Sequence, residues 1–166
     1  VRRILECAAG PERRLVTPVE DALRYCREVT RREARNFYYG LRLSPEPKRG
    51  ALYALYAWMR RADDLADDAD DLEAAERELS AYLDATRVVI RDPAAGSDDP
   101  ILVAIGAVAA QFEVVESDFE AMIEGQLADV RGASYRTFDD LRHYCECVAS
   151  SVGLACIRIW GYDDPS

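Results

Sequence analysis

Residues 44–68 read SPEPKRGALYALYAWMRRADDLADD, and this stretch carries the clearest pattern in the chain. Large apolar side chains recur in its middle at intervals of three or four residues, which is the spacing of one face of an α-helix. These side chains belong to Leu52, Leu55, Tyr56 and Met59. The pattern predicts one helix from about Ser44 to about Asp68, ~36 Å long at the usual helical rise.

The same spacing predicts helices along the rest of the chain, and no segment shows the strict apolar–polar alternation of a half-buried strand. Start signals support two of these helices: Thr17 before Pro18, and Thr137 three residues before Asp140. The expected ranges are Thr17 to Arg32, a short helix ending near Gly40, Leu72 to Arg91, Pro100 to Phe112, Ser117 to Val130 and Phe138 to Ile159. We therefore expect an all-α fold, with the very apolar helix 100–112 at the centre of a bundle.

The composition is that of one globular domain, with 49% apolar and 31% charged residues among 166. Lys plus Arg total 21 against 31 Asp plus Glu, which gives a formal net charge of −10. This excess of carboxylates argues against a nucleic-acid partner, because binding to phosphates depends on cations. It is compatible with metal-dependent chemistry, because clustered carboxylates attract hard divalent cations.

Cysteine usage and hydropathy favour a cytoplasmic protein. The cysteines are odd in number, scattered and without a CxxC pair, so we expect buried free thiols in a reducing compartment. They are Cys7, Cys26, Cys145, Cys147 and Cys156. The longest apolar stretch, residues 101–110, is far shorter than the ~20 residues of a membrane span. Residues 1–16 carry no secretory signal, and we expect them to form an N-terminal extension ahead of a helical domain in residues 17–166.

Four aspartates end the long helix. Asp63 and Asp67 are four residues apart, as are Asp64 and Asp68, so each pair lies on one helical stripe. Like charges at that spacing repel, and the helix macrodipole disfavours anions at a C-terminus by ~0.3–1 kcal/mol each. Mg²⁺ would offset both costs, and the two arginines one turn earlier would help it to neutralise a diphosphate leaving group. A solvated acidic helix end is the alternative that the charge pattern leaves open.

Two blocks of sequence resemble the squalene/phytoene synthase family, whose members are head-to-head prenyl transferases with the all-α isoprenoid (terpenoid) synthase fold. Residues 36–68, NFYYGLRLSPEPKRGALYALYAWMRRADDLADD, resemble the N-terminal signature of that family. Residues 124–130, EGQLADV, and residues 144–154, YCECVASSVGL, are similar to a later region of the family in order and spacing. The resemblance covers most of the chain.

The resemblance implies roles for the residues that match the family motifs. Asp63, Asp64 and Asp67 would bind diphosphate through Mg²⁺. Arg60 would contact diphosphate oxygens as a catalytic residue, and Tyr144 would lie near the reacting carbons, where a phenol can steady a carbocation or accept a proton. The implied substrate-binding residues are Phe37, Tyr56, Arg60, Asp129, Val148, Ala149, Val152 and Gly153. Without the resemblance, aromatic or small residues on an apolar helix face more often belong to the core.

The implied activity is the transfer of one prenyl group onto another, in the biosynthesis of squalene, hopanoids or carotenoids. Two molecules of farnesyl or geranylgeranyl diphosphate would condense through a cyclopropylcarbinyl diphosphate, with Mg²⁺ as the cofactor. NADPH would be needed for squalene and not for phytoene. An apolar product would be released through peripheral contact with a membrane, and the resemblance leaves the oligomeric state open.

The chain departs from the family pattern at three points. Ser150-Ser151 replace a small pair that usually contains glycine, and Gln126 stands where methionine is common, so the chain-length preference could differ. The second aspartate motif of the family, expected after residues 144–154, is not reached before Ser166. We therefore expect a helical domain that is incomplete at its C-terminus, and we predict that the 166-residue chain alone is inactive and has an exposed apolar face.

The sequence leaves two other function classes open. A ferritin-like metal bundle needs Glu-x-x-His motifs on two helices, but the single histidine of the chain is His143, which we expect at the surface. Cys145 and Cys147 could bind a soft metal, but two thiolates lack the other ligands of a closed zinc site. The second class is a non-catalytic helical interaction module or a degenerate paralogue of the same fold. The intact motif of Asp63, Asp64 and Asp67 argues against this class.

Overall fold

The computed structural model describes residues 18–162, and every regular element within that range is helical. The α-helices are α1 (Pro18–Glu33), α2 (Asn36–Leu41), α3 (Lys48–Asp67), α4 (Leu72–Arg91), α5 (Pro100–Gln111), α6 (Glu116–Val130), α7 (Phe138–Cys145) and α8 (Ser151–Trp160). A π-helical segment, Glu146–Ser150, joins α7 to α8, and a short 3₁₀ turn, Pro93–Ala95, precedes α5. The all-α prediction is confirmed.

Side-chain caps fix several helix starts where the sequence predicts them. Asp71 accepts a hydrogen bond from a backbone N–H in the first turn of α4, and Asp99 does the same at the start of α5. Thr137 and Asp140 form a capping box at the start of α7. The predicted cap at Thr17 and the N-terminal extension lie outside the described residues.

The start of the long helix differs from the prediction. α3 begins at Lys48 rather than at Ser44. Glu46 precedes Pro47, and a residue before proline is disfavoured in the helical conformation, so the segment before Lys48 forms turns instead. The end of α3 at Asp67 agrees with the prediction to within one residue.

The predicted continuous helix from Phe138 to Ile159 is also wrong, because the π-helical segment interrupts it. At the end of that segment, the Ser151 hydroxyl donates a hydrogen bond to the backbone carbonyl of Cys147. A serine bond of this type competes with the regular helical bonds and often bends a helix. Apolar spacing does not reveal a π turn, because the segment is only five residues long.

α3 and α5 form the centre of the core. α5 packs against α1, α3 and α4, and its Ala104 and Ile105 have no exposed surface, which confirms the predicted central position. On α3, Trp58 is fully buried and stacks on Tyr82 with ring centroids 5.2 Å apart. Its indole N–H donates a 2.9 Å hydrogen bond to the Thr86 hydroxyl, so the buried ring has its one polar atom satisfied. These contacts fix α3 against α4.

Gly125 allows α6 to approach the π-helical segment closely. A Cβ atom at this position would lie 2.5 Å from Val148 Cγ1 and 3.4 Å from Cys147 Cβ. Val148 is β-branched and stiff at χ1, so it cannot move aside without a shift of its backbone. On α8, by contrast, a Cβ atom at Gly153 would have no neighbour within 4 Å.

Gly125→Ala is therefore expected to lower the free energy of unfolding by about 1–3 kcal/mol, the usual cost of overpacking. Gly153→Ala is the matched control and should raise that free energy by about 0.5–1 kcal/mol, because alanine is the better helix former. Urea unfolding followed by far-ultraviolet circular dichroism measures both changes. Equal effects of the two substitutions would contradict the close contact at Gly125.

The cysteines differ in exposure. Cys26 and Cys147 are buried free thiols, as predicted, and Cys156 is half-buried. Cys145 is exposed, so the expectation of a buried thiol is wrong at this position. The thiol is exposed because Cys145 lies on α7, none of whose residues is buried. Cys7 lies outside the described residues.

Large apolar side chains on α2 and α8 are exposed, which confirms the predicted apolar face. Phe37 on α2 is 74% exposed, and Trp160 at the end of α8 is 46% exposed. Leu154 and Ile157 on α8 are exposed as well. Neither α8 nor any other helix within residues 18–162 has the length and hydropathy needed to cross a membrane.

Candidate functional site

One face of α3 carries both apolar side chains and the first aspartate of the acidic cluster. Leu52, Tyr56, Met59 and Asp63 follow one another at intervals of four, three and four residues, so they lie on one helical stripe. Asp67 continues the stripe by one turn, at the end of the helix. The face therefore changes from apolar to anionic between Met59 and Asp63.

The apolar part of this stripe borders a cavity of about 340 Å³ between α2, α3 and α8. The lining residues are Phe37, Leu41, Leu52, Leu55, Tyr56, Met59, Val152, Cys156 and Trp160. Nearly all of the lining is apolar, and the volume is within the range of small-molecule sites. A cavity of this kind can accept a hydrocarbon chain.

Asp63 lies half-buried where the stripe becomes anionic. The Gln126 side-chain amide on α6 donates a hydrogen bond to Asp63 Oδ1. Burial raises the pKa of the Asp63 carboxyl, although the Arg60 guanidinium and the Gln126 hydrogen bond oppose this shift. The carboxylates of Asp67 and Asp64 raise it further. A nearby cation would therefore stabilise the ionised form of Asp63.

Arg60 lies one turn before Asp64 and pairs with it. Arg60 Nη2 is 2.5 Å from Asp64 Oδ1, and both side chains are partly exposed. The Arg60 Nε atom is buried and has no hydrogen-bond partner within residues 18–162. Because a buried donor without a partner is unfavourable, this guanidinium is suited to bind an anion beside the carboxylates.

A smaller void of about 30 Å³ shares two lining residues with the apolar cavity. Met59 and Val152 border both spaces, and Gln126 and Val148 border the smaller one. Gln126 therefore both binds Asp63 and borders this largely apolar void.

Tyr144 borders a different opening, a cleft of about 470 Å³ between α6 and α7. Its hydroxyl donates a 2.8 Å hydrogen bond to Asp129 Oδ2, and its ring centroid lies 4.7 Å from that of Tyr135. The bond to Asp129, together with burial, raises the pKa of Tyr144 to about 12. The phenol therefore remains protonated at physiological pH. The aspartates of α3 do not border this cleft.

Asp129→Asn is expected to lower the pKa of Tyr144 from about 12 toward the ordinary value of about 10, because a neutral amide stabilises the protonated phenol less. The stability that this bond adds is present below pH ~10 and is lost as the pH rises toward the folded-state pKa. NMR titration of isotope-labelled tyrosine rings, with Tyr144→Phe for assignment, measures the shift. Asp139→Asn is the matched control, since Asp139 borders the same cleft and pairs with Arg142 instead. An unchanged titration in Asp129→Asn would contradict the hydrogen bond.

The residues that the resemblance implies for substrate binding fall in different places. Those that border the apolar cavity are Phe37, Tyr56 and Val152. Val148 borders the smaller void, whereas Ala149 is exposed and Gly153 borders neither space. Tyr144 and Asp129 are brought together at the cleft. Val148 and Ala149 belong to the π-helical segment, whose wider turn rotates the residues around it relative to a continuous α-helix.

Two features of the site were not predicted from the sequence. Cys156 and Trp160 border the cavity with Val152, and their spacing of four residues is a helical stripe that could have indicated them. The contact between Gln126 and Asp63 joins residues on different helices, which no local pattern predicts. The only sequence signal for it is that Gln126 replaces the methionine common in the resembled family.

Comparisons with known proteins show which family this chain is similar to. A sequence model described as squalene/phytoene synthase matches residues 30–166. The chain is 40% identical over 146 residues to the phytoene synthase of Mycobacterium bovis, which covers 88% of this chain and 47% of that protein. It is 38% identical over 155 residues to the 15-cis-phytoene synthase of Synechococcus elongatus, which covers 93% of this chain and 49% of that protein.

A solved structure has the same fold. It is the crystal structure of a dehydrosqualene synthase in complex with a ligand, and it matches with a TM-score of 0.74 and 28% identity over 86% of this chain and 50% of that chain. The chain spans about half the length of the curated relatives it matches. The matched residues 30–166 include the aspartates of α3 and the residues that line the apolar cavity and the cleft at Tyr144. The chain thus belongs to the squalene/phytoene synthase family.

Proposed function

We propose that the full-length protein is a Mg²⁺-dependent transferase that condenses two prenyl diphosphates head-to-head in isoprenoid biosynthesis. The observation that carries this proposal is the stripe on α3, where cavity-lining Met59 is followed one turn later by Asp63. A prenyl diphosphate has the same division, because an apolar chain is joined to an anionic head. The names of the relatives, which are phytoene and dehydrosqualene synthases, support the assignment.

The chemistry of the α3 carboxylates suits a magnesium ion, although no three of them bring their oxygens together in the structure of residues 18–162. Asp63, Asp64 and Asp67 offer the hard oxygen ligands that Mg²⁺ prefers. The half-buried Asp63 has a pKa raised by burial, so a bound cation would stabilise its ionised form. When bound, Mg²⁺ would neutralise charge on the departing diphosphate. We infer that these three residues would hold it.

Other residues of the chain would bind the diphosphate and protect the carbocation. Arg60 can donate hydrogen bonds to diphosphate oxygens from beside Asp64. The apolar cavity would exclude water, which would otherwise react with an allylic cation. Tyr56 borders the cavity, and an aromatic ring can stabilise a cation near its face. Tyr144, held by Asp129, borders a cleft separate from the apolar cavity, and its proposed contact with the reacting carbons is supported by the family resemblance alone.

The test is incubation of the full-length protein with farnesyl or geranylgeranyl diphosphate and Mg²⁺, with and without NADPH. The named relatives favour a phytoene-type product, so we expect condensation without NADPH and loss of product when EDTA removes the metal. A product that forms only with NADPH would indicate squalene synthesis. The absence of any condensation product would contradict the proposal and favour a non-catalytic helical module.

We propose that sequence equivalent to the remaining half of the relatives supplies the second aspartate motif and covers the exposed apolar side chains of α2 and α8. Phe37 and Trp160 support this, since both border the cavity and are exposed. The 166-residue chain alone should therefore form no product under conditions in which the full-length protein does. Robust product formation by the 166-residue chain would contradict this part of the proposal.

Gln126→Leu is expected to raise the Mg²⁺ concentration needed for half-maximal turnover by about 10-fold or more, which is the usual effect of losing a hydrogen bond to a metal ligand. The substitution removes the amide donor and leaves the Asp63 carboxylate half-buried without it. Turnover of the full-length protein at increasing Mg²⁺ concentration measures the change. Gln111→Leu makes the same chemical change at an exposed position at the end of α5 and should have no effect. Equal magnesium dependence of the two variants would contradict the positioning role.

A further inference from the structure

A second group of side chains that can bind a metal ion lies apart from the aspartates of α3. It is located where α6 meets α7 and the π-helical segment. Glu124 belongs to α6, His143 to α7 and Cys147 to the π-helical segment. One carboxylate oxygen, one ring nitrogen and the Sγ atom all lie within 4.8 Å of one another. His143 Nε2 is 3.2 Å from Glu124 Oε1. The condensation proposed above uses none of these three side chains.

The arrangement is close to what a zinc ion requires. With bonds of about 2.0–2.3 Å and tetrahedral angles, zinc holds its ligand atoms about 3.2–3.8 Å apart. The His143–Glu124 separation is already at the lower limit of that range. Both of these side chains are more than 60% exposed and free to change rotamer, whereas Cys147 is buried and held by packing against Gly125. A closure of at most about 1 Å would bring the sulfur into range.

We propose that Glu124, His143 and Cys147 form a zinc site. All three border the cleft between α6 and α7, so an ion has a path from solvent and a fourth position is open to water. Thiolate and imidazole ligands select zinc over Mg²⁺, which prefers oxygen ligands alone. The site is therefore chemically distinct from the aspartates of α3.

Charge and proton balance are consistent with zinc at this position. Binding replaces the proton of the Cys147 thiol, which is released to solvent, by a bond from the thiolate to zinc. With a neutral His143, the thiolate and the Glu124 carboxylate together balance the two positive charges of the ion. The same ion would compensate the negative charge of the Glu124 carboxylate. The neighbours of this carboxylate in the cluster are the Cys147 thiol and the His143 imidazole.

Zinc at this position would connect α6 to α7 next to the Tyr144 phenol. His143 immediately precedes Tyr144, and Glu124 lies five residues before Asp129 on α6. The ion would thus fix the two helices that the hydrogen bond between Tyr144 and Asp129 also joins. Its role would be structural, because it would join α6 to α7 and the proposed condensation uses none of its three ligands.

The site can be tested with Co²⁺ and Zn²⁺ added to the reduced, metal-free full-length protein. We expect one equivalent of Co²⁺ to give thiolate-to-cobalt charge-transfer absorption, which one equivalent of Zn²⁺ abolishes by displacement. Cys147→Ser should remove the absorption, and His143→Ala should weaken Zn²⁺ binding by at least about 100-fold. Zn²⁺ should also raise the unfolding temperature of the native protein and not that of Cys147→Ser.

Cys145→Ser is the matched control, since Cys145 is an exposed thiol two residues away. It should retain the absorption, as should Asp63→Asn, in which the magnesium ligands of the proposed function are altered. Charge-transfer absorption that survives in Cys147→Ser, or that is lost in Cys145→Ser, would overturn the assignment. The assignment would also be overturned if the native protein showed no such absorption. Because His143 is exposed, its substitution tests the site even if Cys147→Ser folds poorly. None of these readouts depends on prenyl transfer, so they stand or fall separately from the proposed activity.

Discussion

Asp63→Asn is expected to lower kcat of the full-length protein by about 10²–10³-fold, the usual effect of removing one group that stabilises a developing charge. Asparagine has nearly the same shape and keeps an oxygen that can accept the Gln126 hydrogen bond, but it carries no charge for a magnesium ion. Steady-state turnover of geranylgeranyl diphosphate at saturating Mg²⁺ measures the loss.

The loss should not be caused by unfolding. Burial raises the pKa of Asp63, and a carboxyl with a raised folded-state pKa reduces stability once the pH exceeds its unfolded value. At neutral pH, the Asp63→Asn variant should therefore unfold at the same temperature as the native protein or at a higher one. Asp70→Asn is the matched control, because Asp70 is exposed and lies beyond the end of α3. If both variants kept full activity, the magnesium role of Asp63 would be excluded.

Val152→Trp should discriminate strongly between substrates of different length. The indole would fill part of the cavity of about 340 Å³, so the end of a long prenyl chain could no longer be buried there. Burial of each CH₂ group contributes about 0.8 kcal/mol, so the loss of one five-carbon unit corresponds to about 4 kcal/mol, or about 10³-fold in kcat/KM. We expect this loss for geranylgeranyl diphosphate and a smaller one for farnesyl diphosphate, as measured by competition between the two substrates.

Val88→Trp is the control for this experiment. It makes the same change of side chain on α4, at an exposed position that does not border the cavity. It should change neither the activity nor the preference between the two substrates. An equal loss for both substrates in Val152→Trp would mean that the cavity does not hold the end of the prenyl chain.

Local features of the fold were predictable where a single side chain determines them. Asp71 caps α4, and the helix then follows its apolar period from Leu72 to Arg91, as predicted. The aspartates at the end of α3 are predictable because the spacing of charges along one helix is directly visible in the sequence. The start of α3 differs from the prediction because Pro47 disfavours a helical backbone at Glu46, and this restriction outweighs the helix-start signal of Pro45.

Contacts between helices were beyond prediction from local patterns. The π-helical segment depends on hydrogen bonds that one residue type does not specify, and it changes which side chains of residues 146–150 face the interior. The bond from Gln126 to Asp63 and the cluster around Cys147 depend on how closely α6 approaches its neighbours. Gly125 allows this close approach because it has no side chain. The sequence alone does not show the importance of this glycine, because the segment that packs against it is not known from local patterns.

The depth of the cavity below the carboxylates is set by the backbone of α3. Leu52 and Asp63 are eleven residues apart on one helix, which corresponds to ~16 Å along its axis. Substitution of side chains leaves this distance unchanged, because main-chain hydrogen bonds maintain it. Since side chains on the stripe recur about once per turn, they can shorten the accessible depth only in increments of about 5.4 Å. Discrimination between substrates that differ by one isoprene unit would then depend on the size of one side chain in each turn.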